Sequence, residues 1–158
     1  MDAARAFWSL SSLVSSPQFA FRDVFSAGLY RVGLGFHVLS VLLRRHNPRL
    51  AAHLSALGVA PNMYCAGWVM TLFSSLDCLP LPLCAALWDS FLLNGWKALW
   101  RCVLTLMDGA ATPLVAHSDL AGVVQVSGAA RRGAAQSSLA AGSLAGTSLS
   151  RLPNNAAF

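Results

Sequence analysis

From residue 4 to residue 108, apolar residues recur at steps of three and four, and no stretch alternates residue by residue. That period predicts helices and no strands. Phe7, Leu10, Leu13 and Val14 mark a first helix over 4–14, which breaks at "SSPQ" because Pro17 disfavours helix in the residue before it. Leu29, Val32, Phe36, Leu39 and Leu43 form one stripe of a helix over 29–45, with Arg31, Arg44 and Arg45 on its wet side or at its end. Gly33 and Gly35 weaken that helix, which suggests the close approach of another backbone.

The strongest local signals follow. In "HNPRLAAHLSALGV" (46–59), Asn47 is a good N-cap, Pro48 fits the first helical position and Gly58 ends the helix. Leu50, Leu54 and Leu57 make its inner face, and His53 stands one residue off it as a boundary residue rather than a ligand or base. Pro61 opens a further helix in 60–75, lined on one side by Tyr64, Trp68 and Leu72. A proline-led turn then leads into a helix within 79–95, with Leu83, Leu87, Trp88 and Phe91 on a wide apolar face and Asn94-Gly95 as its stop. The last helix, 96–108, points Leu99, Cys102, Val103 and Leu106 inward. Leu50, Leu54, Trp68, Leu72, Leu87, Phe91, Leu99 and Leu106 are the expected core.

Beyond Asp108 the composition shifts to Ala, Ser and Gly, with no aromatic residue before Phe158. Such a tract has little to bury, so 3–108 reads as the helical domain and 109–158 as a disordered tail, with 120–126 able to form a local turn.

Composition narrows the function. At 56% hydrophobic and 11% charged, the chain is too apolar for a disordered protein, and a membrane span has to be tested. A span needs about 20 mostly apolar residues. Residues 50–76 carry no formal charge but are interrupted by His53, Gly58, Pro61, Asn62 and Gly67, and 32–43 is too short. No transmembrane segment is expected. The net charge of +5 comes from scattered residues rather than a basic face with stacking aromatics, so nucleic acid is not an expected partner. Cys65, Cys78, Cys84 and Cys102 form no CxxC pair and no histidine lies at ligand spacing from them. Neither a metal nor any other cofactor is expected, and the cysteines suit a reducing, cytoplasmic compartment.

Asp89 stands out in the apolar run "LWDSFLLNGWKALWRCVLTLMD". An unpaired carboxylate within a helix is costly to bury. Lys97 and Arg101 follow just after the Asn94-Gly95 turn, so Asp89 is expected to lock the helical hairpin by pairing with one of them or with the start of the 96–108 helix. No second acid, base or metal ligand stands near it in sequence to support catalysis.

The same run, preceded by "HNPRLAAHLSALGVAPNMYCAGWVMTLFSS", resembles the C-terminal half of the TBC domain, the Rab GTPase-activating fold. The family's P-x-L-x-x-H-L helix appears as Pro48, Leu50, His53 and Leu54, its W-x-x-T-L-F helix as Trp68, Thr71, Leu72 and Phe73, and its W-D-x-F-L-x-x-G segment as Trp88, Asp89, Phe91, Leu92 and Gly95. "AFWSL" at 6–10 resembles the helix after the family's second catalytic motif. The resemblance implies an all-α, multi-helix orthogonal array, structural roles for Pro48, His53, Trp68, Phe73, Trp88, Asp89 and Gly95, and a Rab-type small GTPase as partner. It further implies work in membrane traffic, in the cytoplasm and peripherally on endomembranes.

The family's catalysis is implied to rest on an arginine and a glutamine supplied in trans, in I-x-x-D-x-x-R and Y-x-Q motifs upstream of the matched region. Gln18, Gln125 and Gln136 do not sit two residues after a tyrosine, and Arg5, Arg22 and Arg31 are not in the arginine motif. No catalytic residue carries over. If an arginine acts, Arg22 or Arg31 are the candidates. Besides a GTPase activator or part of one, two alternatives stand: a non-catalytic helical GTPase-binding or scaffold module, and an unrelated helical membrane protein.

Overall fold

The structure, a computed structural model, describes residues 2–19, 21–75 and 79–116. Among the described residues it holds eight helices and no strand: α1 (Ala3–Ser15), α2 (Phe21–Val24), α3 (Tyr30–His46), α4 (Pro48–Ala56), α5 (Pro61–Met70), α6 (Leu81–Asn94), α7 (Trp96–Gly109) and α8 (Ala111–Ala116). The fold is therefore all-α, as the periodicity predicts.

Local chemistry sets the boundaries. Asn47 caps α4, its side-chain oxygen accepting from the Leu50 N–H at 3.1 Å, and Pro48 occupies the first turn. Gly58, at φ +67°, lets the Val59 N–H reach back to the Leu54 carbonyl at 2.8 Å, which closes the helix end. The same closure ends α5, where the Phe73 N–H reaches the Trp68 carbonyl at 2.9 Å. There no glycine is present. Leu72 and Phe73 both hold positive φ, at 47° and 60°, against the usual cost for a side chain in that region. Their burial, 3% and 0% exposed, holds them there.

The helices close on one core. α3 packs against α4, α5 and α7, α6 packs along α7, and α8 contacts α4 and α7. All eight residues expected in the core are buried, with Leu50 and Leu99 at 0% exposure. Gly35 has the close approach expected of it, but to a side chain and not to a backbone. A Cβ there would lie 2.7 Å from the Trp100 ring. Gly33 meets nothing.

Four differences from the sequence reading have physical causes. Leu29 is not on the α3 stripe; it precedes the helix in a left-handed conformation (φ 49°) and is exposed. The short helix α2 lacks enough turns to show a period, yet Val24 is buried. The domain does not stop at Asp108, because α8 continues to Ala116 and seals the end of α7 with Leu114 at 0% exposure. Finally, the apolar stripe of α1 is largely unburied. Phe7, Trp8 and Leu10 are 62%, 67% and 61% exposed, and Leu13 alone of that stripe packs against the core. The tail reading for 117–158 lies outside the described residues. Among the described residues no helix is long and apolar enough to cross a membrane.

Candidate functional site

The motif residues are spread through the scaffold and do not converge on one point. Pro48 is exposed at the start of α4, and His53 is half-buried on the same helix. Trp68 is buried between Tyr64, edge-on at 6.3 Å, and Phe73, stacked at 5.6 Å. Trp88 meets Phe91 edge-on at 6.1 Å, and Phe91 meets Trp96 at 5.6 Å with the rings perpendicular. Offset and edge-to-face geometry suits aromatic quadrupoles, so this spacing builds a cluster across the α6–α7 turn. Gly95, at φ 62° and ψ −148°, is that turn. A side chain rarely adopts this backbone conformation, which explains the glycine.

Asp89 departs from its expected role. It is exposed on α6, and the ion pairs among the described residues are Arg31–Asp23 and His46–Asp108. An exposed carboxylate keeps its hydration, so the apolar run accommodates Asp89 by turning it to solvent, not by locking the hairpin.

Two other contacts fasten the helices. Asp108, near the end of α7, receives His46 Nε2 on one carboxylate oxygen and the Asn47 side-chain amide on the other, the latter at 3.2 Å. This pins the α3–α4 junction to α7 while Asn47 still caps α4. The Trp96 indole N–H donates to the Phe19 carbonyl at 2.8 Å and ties the segment between α1 and α2 to the aromatic cluster. Sequence separations of 61 and 77 residues hide both contacts from any local pattern. Their only trace is a polar or amphipathic side chain in an apolar run.

The chemistry-bearing groups are few. Among the described residues, no group of three or more His, Cys, Asp and Glu is placed to hold a metal ion. Arg22 is exposed on α2, and Arg31 lies 3.9 Å from Asp23. Burial pushes the Tyr64 phenol and the Cys65 thiol well above their ordinary values, and the Cys102 thiol up to about 12. Cys65 keeps its proton and donates it to the Pro61 carbonyl. These groups are thus neutral at ordinary pH and are not nucleophiles. The Tyr64 hydroxyl and the Trp100 indole N–H are buried without a hydrogen-bond partner among the described residues. Leaving such a group unpaired costs about 1–3 kcal/mol.

Among the described residues, cavities open between the helices. A small one of about 20 Å³ lies beside Trp100, Gly35 and Arg31. A half-open one of about 310 Å³ lies between α3, α4 and α5.

Among the described residues the scaffold is all-helical, with aromatic seams between its helices. The model of the Rab-GTPase-TBC domain matches residues 1–112. The chain belongs to that family. It is 34% identical to Carabin from Mus musculus over 131 residues, covering 80% of this chain and 27% of Carabin. It is 31% identical over 115 residues to the Rab GTPase-activating protein tbc-11 of Caenorhabditis elegans, covering 73% of this chain and 12% of that protein. It is also 32% identical over 113 residues to the TBC1 domain family member 14 of Homo sapiens, covering 68% of this chain and 15% of the relative. The chain therefore spans 12–27% of the length of these relatives.

Proposed function

We propose that this chain is a helical module of a Rab GTPase activator that contributes contact surface and not the chemical step. The observation that carries this is the placement of the family motifs. Trp68, Phe73, Trp88 and Gly95 lie in the core and turns, and the polar motif residue Asp89 is exposed to solvent. GTP hydrolysis by a small GTPase needs a positive group on the transferring phosphoryl and a positioned water, and an arginine finger alone is worth on the order of 10³–10⁵ in rate. The sequence holds no Tyr-x-Gln triplet. Binding without a group that favours the transition state does not lower the barrier. Work in membrane traffic, on the cytoplasmic side and peripheral to endomembranes, goes with a Rab-type partner.

Single-turnover GTP hydrolysis across a panel of Rab proteins is the test. The expected result is no acceleration by the chain as given, with binding of one or more Rabs. Acceleration of about a hundredfold that persists in Arg22→Ala and Arg31→Ala would overturn the non-catalytic reading, because those are the candidate fingers. Acceleration abolished by either substitution would instead identify that arginine as the finger. A scaffold module without a GTPase partner is the competing reading, and absence of binding to every Rab would favour it.

A further inference from the structure

The outer face of α6 is apolar and open. Leu81, Ala85, Ala86, Asp89, Leu92 and Leu93 are exposed and fall within an arc of about 140° at 3.6 residues per turn. Leu87 and Phe91, on the opposite side of the helix, are buried where α6 packs along α7. Leu81 and Leu93 are each 82% exposed. Near the middle of this arc stands its one charge, Asp89, and neither ion pair among the described residues uses it. Exposed apolar faces rimmed by polar residues mark interaction surfaces.

Charge selects the occupant. A second copy of this face, brought up across a twofold axis, would set Asp89 against Asp89. An anionic lipid surface would also repel it. A cationic segment with small apolar neighbours fits. The chain carries one past the described residues: from 120 to 158 there are three arginines and no acidic side chain, and Arg131 and Arg132 are adjacent, between Ala129-Ala130 and Ala134-Ala135. The chain's own acids leave few other partners. Of its six aspartates, Asp23 is held by Arg31 and Asp108 by His46, Asp2 precedes α1, and Asp77 and Asp119 lie outside the described residues.

Reach permits the contact. α8 ends at Ala116 and contacts α7, along which α6 lies. Arg131 follows Ala116 by fifteen residues, which span up to about 50 Å when extended. The 14 residues of α6 are about 21 Å long. Tethering converts a weak encounter into an intramolecular one at high effective concentration.

We propose that the outer face of α6 is the docking surface for the segment around Arg131 and Arg132 of the same chain. One of these arginines meets Asp89, and the alanines beside them lie over the exposed leucines. The contact gives Asp89 the partner it lacks among the described residues.

The experiment compares backbone amide shifts of the full chain by NMR, each substitution being read at the other end of the contact. Arg131→Gln with Arg132→Gln should move the amides of residues 85–93. Asp89→Asn should move those of residues 129–134. Both responses should vanish in 1 M NaCl, where the screening length falls to about 3 Å. Tenfold dilution should leave them unchanged, as for a contact within one chain. Asp89 is exposed, so Asp89→Asn should melt with the parent. No response at 85–93 to the arginine substitutions, or none at 129–134 to Asp89→Asn, would overturn the proposal. So would responses that survive 1 M NaCl, that disappear on dilution because the segment belongs to a second copy, or that fall on residues 7–10 of α1 in place of α6.

Discussion

Gly35 on α3 faces the ring of Trp100 on α7 so closely that a Cβ would stand 2.7 Å from Cζ2 and 3.0 Å from Cη2. Trp100 is 3% exposed and belongs to the central cluster, so its ring is not a loose end that swings away. Gly35→Ala should therefore force α3 and α7 apart and cost about 1–3 kcal/mol, the usual range for overpacking. Gly33→Ala, on the same helix with nothing near it, should stabilise slightly, because alanine favours the helix over glycine. Urea unfolding of the two variants checks the contrast.

Gly95 poses a different constraint. Nothing lies within 4 Å of a Cβ there, so any cost is in the backbone alone. At φ 62° and ψ −148° that cost should be about 1–3 kcal/mol for Gly95→Ala. Gly58→Ala, at φ +67° in a helix-closing position, should cost about 1 kcal/mol. Thermal melts that rank the two in the opposite order would contradict this reading of the α6–α7 turn.

Where a residue's chemistry acts locally, the sequence carried the outcome. Asn47-Pro48 and Gly58 bracket α4, and Asn94-Gly95 divides α6 from α7. The aromatic spacing marked Trp68 and Phe91 as core. Long-range pairing was not legible. Asp89 and Asp108 stand in the same apolar run, and nothing near either says which one is held. The structure exposes Asp89 and joins Asp108 to the α3–α4 junction, 61 and 62 residues away. Leu114 shows a related gap: an Ala-rich tract has little to bury in total, yet one leucine at the right distance closes the core.

The two aspartates give a paired test. Asp89→Ala should change stability by no more than about 0.5 kcal/mol, as for other exposed positions. Asp108→Ala loses its contacts with His46 and Asn47, and should cost about 1–2 kcal/mol. Equal melting of the two variants would remove the role given to Asp108.

The α1 face should govern solution behaviour. Phe7, Trp8 and Leu10 present a contiguous helical stripe to water, and such patches promote association. Light scattering should show concentration-dependent self-association of the parent. Phe7→Ser with Trp8→Ser should reduce it while leaving the melting temperature nearly unchanged, since α1 contributes no buried residue. A strong loss of stability in that double variant would mean that α1 packs more tightly than its exposure indicates.

Alkaline pH should weaken the fold through its buried thiols and phenol. Burial first, and the neighbouring Cys84 second, raise the Cys102 thiol from 9.0 to about 12, and burial raises Cys65 and Tyr64 in the same direction. Below the unfolded value of each group, both states hold the proton and the contribution is fully present. Above it, the unfolded chain releases the proton first, so stability falls as pH rises towards the folded value. For a thiol the decline begins near pH 9 and is at most about 1.4 kcal/mol per pH unit per group. Urea unfolding between about pH 7.5 and pH 10.5 should show this loss. Cys65→Ala lowers stability overall by emptying a fully buried position, yet its alkaline slope should be shallower than the parent's. Parallel slopes in parent, Cys65→Ala and Cys102→Ala would show that the thiols keep their protons no more strongly in the folded chain than in the unfolded one.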